Sequence, residues 1–277
     1  MRVPKVQLGI ICGSSTNSLQ FPGDLNYPGV KVNAKDLVFK TPFGDSPAFT
    51  HFCLGGKEIL TCPMHGWRQG VTRADSSRQI FWVLAEAGVK RIIAEGGVGS
   101  VNHLLKPRDI VIPNDYLDFS MRKDVGLGTS YLMIMRQAIC PEITAALYQA
   151  AKENPVGRNV FDRGVYVCTD GRHFESPAEV AMFKQLGGDI IGQSLCPEVY
   201  LAREIGVCYA SVQLVVNYAE GIIKDWEHAE LKDIYLNDAQ EAGLMLLKAA
   251  AHLNVEAGCG CADLRKPTLL RDKPGQA

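Results

Sequence analysis

The sequence predicts a single α/β domain with a central mixed, mostly parallel β-sheet flanked by helices. Two observations carry this: short apolar runs rich in Val and Ile recur along the chain, and amphipathic stretches of helical length separate them. A third is the 47% hydrophobic content of 277 residues, enough for a large core. No internal repeat or linker interrupts the pattern, so residues 1–257 read as one domain. Charge, Gly and Pro accumulate in 258–277, which reads as a flexible C-terminal tail.

The predicted strands are 6–12, 58–64, 91–97, 109–117, 164–170, 189–194 and 207–216. Their continuous apolar character suits strands buried on both faces. Helices are predicted over 76–88, ending at Gly88, and over 141–154, with Pro141 in the first turn. Further helices cover 176–188, 196–206 and 237–254; the first begins Ser-Pro and ends Gly-Gly, and the second ends at Gly206.

Composition narrows the function classes. Lys plus Arg is 29 and Asp plus Glu is 30, a formal charge of −1, so no basic excess points to nucleic acid or to an anionic membrane. No run approaches the roughly 20 apolar residues that span a bilayer. The opening MRVPKVQLGIICG reads as a first strand rather than a secretory signal. A soluble, cytoplasmic protein is expected.

Nine cysteines stand mostly within apolar runs, where Cys behaves as a small hydrophobe. The odd count argues against a secreted disulfide framework. Cys259 and Cys261 form CGC in the tail; a reduced flexible tail is the plain reading, with a redox-linked tail or a metal contact as alternatives. No second Cys/His pair stands at zinc-finger spacing, and no metal is expected.

In open α/β sheets ligands bind at the C-terminal ends of strands. The segments there are polar, small or charged: GSSTNS, HGWRQG, EGGVGS, GRHFES, QSLCPE and NYAEG. With TPFGDSP, GVKRIIAEGGVGS, LKPRDIVIPNDYLD, GGDIIGQSLCPEVYLAREIGVCYASV and VVNYAEGI, in this order, the chain resembles the trimeric purine nucleoside phosphorylase and methylthioadenosine phosphorylase family from about residue 7 to 250. The resemblance implies a nucleoside phosphorylase-like fold, a homotrimer and purine salvage. It also implies reversible phosphorolysis, in which nucleoside and phosphate give free base and pentose 1-phosphate, with phosphate as co-substrate and no cofactor.

The resemblance assigns roles to particular residues. Ser14 matches a phosphate-contacting hydroxyl. In MHGWRQG the family pattern is Arg then His; here Met64 precedes His65, and Met cannot pair with phosphate. Arg68 is the candidate replacement cation, with Arg73 behind it. Gly96 and Gly97 match a loop touching phosphate, sugar and base, and Glu95 beside them is expected to point away from the anion or to be protonated. Phe174 matches the residue packed on the purine. Glu175 matches the acceptor for N1–H of a 6-oxopurine, a role an ionised carboxylate fills and one that adenosine, whose N1 accepts, does not complement. Gln193 stands where the family keeps Met against the sugar, and Ser194 matches another phosphate ligand. Asn217 matches the 6-oxopurine-type contact to N7 and O6, where methylthioadenosine enzymes carry Asp. Around the sugar 5′ end, Leu231 and Ile234 are candidates for an apolar lining, and His228 for a hydroxyl contact.

The catalytic set implied is Asn217, Glu175 and His65, acting on inosine, guanosine or 5′-methylthioinosine. Loss of the phosphate Arg and the presence of Glu95 keep three alternatives open: a nucleoside hydrolase, a methylthioadenosine-type phosphorylase, and a nucleoside-binding protein without turnover.

Overall fold

A computed structural model describes residues 2–153, 158–256 and 258–268. In chain order the elements are β1 (Leu8–Ile11), β2 (Val30–Leu37), β3 (Lys40–Thr41), β4 (Gly44–Asp45), β5 (Phe49–Leu54), β6 (Lys57–Cys62), α1 (Arg73–Ala87), β7 (Arg91–Ser100), β8 (Ile110–Val111), β9 (Asp115–Asp118), β10 (Tyr131–Met133), α2 (Pro141–Lys152) and β11 (Val160–Phe161). They continue with β12 (Val165–Cys168), α3 (Pro177–Gln185), β13 (Ile190–Gly192), α4 (Leu195–Ile205), β14 (Cys208–Tyr218), α5 (His228–Asn237), α6 (Ala239–His252) and β15 (Arg265–Pro267).

Local chemistry explains the helix ends. The Thr72 hydroxyl accepts from the Asp75 amide at 3.0 Å and starts α1, which stops at Gly88 in the left-handed region. Ser176 and Glu179 form a reciprocal capping box on α3, with Pro177 in its first turn. Gly206 ends α4 as Gly88 ends α1.

One large mixed sheet runs β11-β8-β14-β7-β1-β6-β5-β2, and β13, β12 and β9 branch from it. β1 pairs parallel with β6 and β7, and β7 parallel with β14. β5 and β2 extend the sheet antiparallel. The sheet forks along β7: β1 pairs with Arg91–Ala94, whereas β13 pairs antiparallel with Gly99 and Ser100. Between these contacts one edge of β7 is left unpaired by any strand. Leu8, Ile59, Leu60, Ile92 and Ile93 are wholly buried around the centre, as expected for strands covered on both faces.

The alternation read from the sequence holds, with differences. The run 109–117 is broken into β8 and β9, separated by Ile112–Asn114. The EGGVGS stretch is not a loop but the second half of β7, because β14 pairs with it to its end. The antiparallel β2–β5 excursion was not foreseen: β2 alternates half-buried and exposed residues and lacks a long apolar run. Part of the segment expected as a flexible tail is docked. Cys261 is buried, and β15 pairs antiparallel with β10; residues 269–277 lie outside the described ones. Among the described residues no helix is long and apolar enough to cross a membrane.

Lys57, at the start of β6, fastens the C-terminal helix. Its Nζ donates to the carbonyls of Ala250, Ala251 and Leu253 at 2.8, 2.6 and 2.7 Å, meeting the negative end of α6. Replacing Lys57 by Met keeps much of the stem and removes the cation. The expected cost is about 1–3 kcal/mol, read as a lower urea midpoint; an unchanged midpoint would show that this cap contributes nothing.

Candidate active site

The fork in the sheet opens into a cavity of about 190 Å³. Its walls bring together Ser14 after β1, His65 after β6, Gly96 and Gly97 on β7, Phe174 and Glu175 after β12, Gln193 and Ser194 after β13, and Asn217 near the end of β14. Met64, Trp67, Val216, Glu220 and Tyr235 also line it. Residues 161 positions apart in Ser14 and Glu175 thus share one chamber because their strands end on the same side of the sheet.

Glu175 and Asn217 both contribute polar groups to the lining. Glu175 is buried, and its Oε1 accepts from the Thr169 hydroxyl at 2.5 Å, leaving the other oxygen without that partner. Asn217 Nδ2 donates to the Tyr218 carbonyl at 2.8 Å. A register shift between Val215 and Asn217 marks a bulge. It explains why the consecutive residues Val216 and Asn217 both face the cavity, which a regular strand forbids. Phe174 sits at the half-exposed rim, edge-on to Trp226 with ring centres 5.1 Å apart; the Trp226 indole donates to Glu220 at 2.8 Å.

At the other end, the loop after β1 wraps a carboxylate belonging to the protein itself. Glu95 is 1% exposed. Its Oε1 accepts from the Gly13 amide at 2.5 Å, the Thr16 amide at 3.2 Å and the Thr16 hydroxyl at 2.6 Å. Glycine is needed at position 13: a Cβ would stand 2.2 Å from the Glu95 carbonyl oxygen and 2.7 Å from His65 Nε2. Gly97 is equally constrained, since a Cβ there would meet Tyr235 Oη at 2.7 Å and Ser14 Oγ at 2.8 Å. The Gly97 amide, on the unpaired edge of β7, donates to Ser14 Oγ at 3.0 Å. Burial pushes the Tyr235 phenol above its ordinary pKa, so it stays a neutral hydroxyl beside Ser14.

His65 is held in the left-handed region, φ 50°, as is Met64 before it. Such backbone is uncommon for residues other than glycine and clusters at functional sites. His65 Nδ1 lies 2.7 Å from Glu198 Oε1, and Glu198 Oε2 accepts from the Tyr209 hydroxyl at 2.9 Å. Burial by itself would lower the His65 pKa. The Glu198 charge and hydrogen bond, with Glu95 adding to them, outweigh it and raise the pKa above 6.5. Ser194 Oγ lies 3.4 Å from the Tyr166 hydroxyl and completes this end.

Five side chains the sequence offered, Arg68, Arg73, His228, Leu231 and Ile234, lie outside the cavity wall. Arg68 turns away: Nη1 donates to the Gly66 carbonyl at 2.9 Å, and Nη2 to Gln79 Oε1 at 2.6 Å and to the Asp45 carbonyl. With these carbonyl and amide acceptors its guanidinium braces the turn after β6 instead of facing Ser14. Leu231 and Ile234 pack into the core from α5, and Tyr235, on the next position of that helix, reaches the cavity. His228 opens α5 and does not line the cavity. Arg73 comes nearer than Arg68: its guanidinium lies over the Trp67 ring at 3.9 Å and donates to Gln193 Oε1 at 2.8 Å, so it touches two lining side chains. Trp67 lies inside the quoted MHGWRQG motif and was readable there; Tyr235 had no signal beyond its helical neighbours.

A sheet forked in this way around a cavity of strand-end residues is the nucleoside phosphorylase architecture. Methylthioadenosine phosphorylases from an Antarctic soil metagenomic library and from Schistosoma mansoni, the latter in complex with adenine, both superpose with a TM-score of 0.77 at 24% identity. They share this fold over 89% and 93% of this chain and 86% and 95% of theirs. The chain belongs to the phosphorylase superfamily, whose pattern matches residues 7–251. It is 34% identical to the 6-oxopurine nucleoside phosphorylase of Pyrococcus furiosus, over 84% of this chain and 92% of that one. Against the probable S-methyl-5′-thioinosine phosphorylase of Methanothermobacter thermautotrophicus the identity is 34%, covering 92% and 87%. Against the S-methyl-5′-thioadenosine phosphorylase of Pyrococcus abyssi it is 33%, covering 97% and 100%.

The His65–Glu198 pair predicts a pH dependence. Because the folded pKa is raised, its stabilising contribution is complete below the unfolded value of 6.5 and is lost as pH rises through the folded value. Sulfate, whose charge is constant across this range, should bind the cavity more weakly over the same interval, as the imidazolium loses its proton. Glu198→Gln should move that loss to lower pH. Calorimetric titration at several pH values measures it; affinity insensitive both to pH and to Glu198→Gln would separate His65 from anion binding.

Proposed function

We propose that the protein is a purine nucleoside phosphorylase with preference for 6-oxopurines, cleaving inosine, guanosine or 5′-methylthioinosine. The observation that carries this reading is that Glu175 and Asn217 are both buried and both line the cavity. Thr169 occupies one Glu175 oxygen, and the other carboxylate oxygen can accept N1–H of hypoxanthine or guanine. Besides its hydrogen bond to the Tyr218 carbonyl, the Asn217 amide has an N–H to donate to N7 or O6, both acceptors. A 6-aminopurine offers an acceptor at N1 and leaves Glu175 facing a lone pair. Relatives named for 6-oxopurine nucleosides and for methylthioinosine support the same preference.

In the reaction, a phosphate oxygen forms a bond to the anomeric carbon as the glycosidic C–N bond breaks. The departing base takes the bonding electron pair, and hydrogen bonding or protonation at N7, opposite Asn217, meets the charge that develops there. Ser14 and Ser194 supply hydroxyl donors for phosphate and His65 supplies a cation. Gly96 and Gly97 let the sugar approach the backbone, with Gln193 over it. Phosphate is a co-substrate, and no metal or organic cofactor takes part. A homotrimer, a cytoplasmic location and a place in purine salvage complete the proposal.

Met64 and the Glu95 carboxylate in the first loop favour a second reading, hydrolysis with water as nucleophile. Release of free base, measured with and without phosphate over a panel of nucleosides, separates the two. Strict phosphate dependence is expected, with 6-oxopurine nucleosides used at least roughly tenfold better than their 6-amino counterparts, the scale of one matched buried hydrogen bond. Equal base release without phosphate would establish the hydrolase instead. Asn217→Ala should lower kcat/KM by roughly ten- to a hundredfold. Light scattering should give the mass of a trimer; an active monomer would contradict the assembly.

A further inference from the structure

At the end of β14 remote from the cavity, four cysteines converge. Cys140 immediately precedes α2, Cys208 is the first residue of β14, and Cys259 and Cys261 follow α6. Their four sulfurs lie within 4.8 Å of one another. Cys140, Cys208 and Cys261 are buried and Cys259 half-buried. The Cys208 and Cys259 sulfurs are 3.3 Å apart, and all four thiols are free.

Four sulfurs drawn from three separate parts of the chain match the donor set of a closed tetrahedral metal site. A tetrahedron with metal–sulfur bonds of about 2.3 Å needs sulfurs roughly 3.8 Å apart, within small side-chain adjustments of this cluster. A soft all-thiolate set selects zinc or iron over hard cations, and zinc is the redox-inert ion of such structural sites. Tetrathiolate zinc carries two net negative charges, which a protein interior must balance. Arg91 stands opposite Cys208 in the β7–β14 ladder, wholly buried, and its Nη1 has no hydrogen-bond partner among the described residues. The rest of that guanidinium is pinned by Glu142 Oε2 at 2.5 Å and by the Glu256 and Val255 carbonyls. A second buried arginine, Arg203, donates to the Cys261 carbonyl and to the Gln137 carbonyl, fixing the backbone on both sides of the cluster.

We propose that Cys140, Cys208, Cys259 and Cys261 hold one structural zinc ion that fastens the C-terminal segment to the base of the sheet. Cys208 and Asn217 are nine positions apart on β14, roughly 30 Å at the rise of a strand. The ion therefore takes no part in the chemistry of the cavity. Its effect is on stability: it crosslinks the start of α2, the base of the central strand and the segment leading into β15.

The test uses the full chain, produced with zinc available and purified under reductant and inert gas. Elemental analysis should find about one zinc per chain. Co(II) exchanged into it should show the intense visible absorption of tetrahedral cobalt–thiolate. A Cys259→Ser/Cys261→Ser variant should lose both signals, whereas Cys53→Ser, on β5, should keep them. Chelator should lower the unfolding temperature of the parent to that of the double variant and leave the variant unchanged. Any base release by the parent at low temperature should persist in the double variant, so the result stands apart from the substrate assignment. Wild-type protein that holds neither zinc nor cobalt after reduction and refolding, or in which peptide mapping finds these cysteines as disulfides after oxidant-free purification, would overturn the site. One iron per chain in place of zinc would overturn the identity of the ion.

Discussion

The parallel pairing of β7 with β14 is the constraint on which the rest of the structure depends. The two strands run together from Arg91 opposite Cys208 to Ser100 opposite Tyr218. β1 leaves β7 after Ala94 and β13 joins it at Gly99. The cavity exists because no strand pairs with the stretch between. Its backbone is then satisfied locally, as where the Gly97 amide finds Ser14 Oγ. The bulge near the end of β14 sets both Val216 and Asn217 toward the same chamber. Each main feature is therefore a consequence of how one ladder begins and ends.

Glu95 dominates the electrostatics of the anion end. A buried carboxylate is tolerated only when its hydrogen bonds replace those of water, and the Gly13 amide with the Thr16 amide and hydroxyl does this for Oε1. The same loop donors could otherwise face an external anion. With Met64 uncharged and Arg68 turned to Gly66, Asp45 and Gln79, the basic side chain in the lining itself is His65. Its elevated pKa is sustained by Glu198, which the Tyr209 hydroxyl holds in place. In the proposed phosphorylase, a phosphate at this end would meet His65 on one side and the Glu95 carboxylate on the other, with hydroxyls from Ser14 and Ser194 supplying direction more than charge.

Much of this was legible in the sequence, and the gaps have physical causes. Buried strands announce themselves as apolar runs, and helices by period and caps, so β1, β6, β7, β14, α1, α3 and α4 could be read directly. The β2–β5 excursion could not, because a half-covered strand such as β2 lacks that contrast. Ser14, His65, Gly96, Gly97, Phe174, Glu175, Gln193, Ser194 and Asn217 were placed by motifs at strand ends, a position fixed by the backbone. Arg68 was chosen for nearness along the chain, but a long flexible side chain goes to the acceptors within reach, here carbonyls of a neighbouring turn. Leu231 and Ile234 were chosen for being apolar, and apolarity drew them into the core, leaving the amphipathic Tyr235 at the boundary. Half of the cysteine cluster, the Cys259–Cys261 CGC, stands out in the sequence with a metal contact among its readings; Cys140 and Cys208 do not, because the fold and not spacing brings them to it.

The two halves of the cavity differ in how firmly they are built, and this bears on selectivity. Glu175 and Asn217 are buried, the one tied to Thr169 and the other carried by the central strand. Reorienting either means leaving a buried polar group unpaired, a cost that keeps this part of the cavity rigid. Other parts of the lining are Tyr235 of α5, a helix whose only buried residue is Ile234, and Phe174 at the exposed rim against Trp226. Such a wall moves at the cost of a few apolar contacts, and one methylene or hydroxyl more or less against it changes binding little. The architecture therefore divides the cavity between polar groups held on rigid strands and a softer lining carried in part by a helix that rests on the surface.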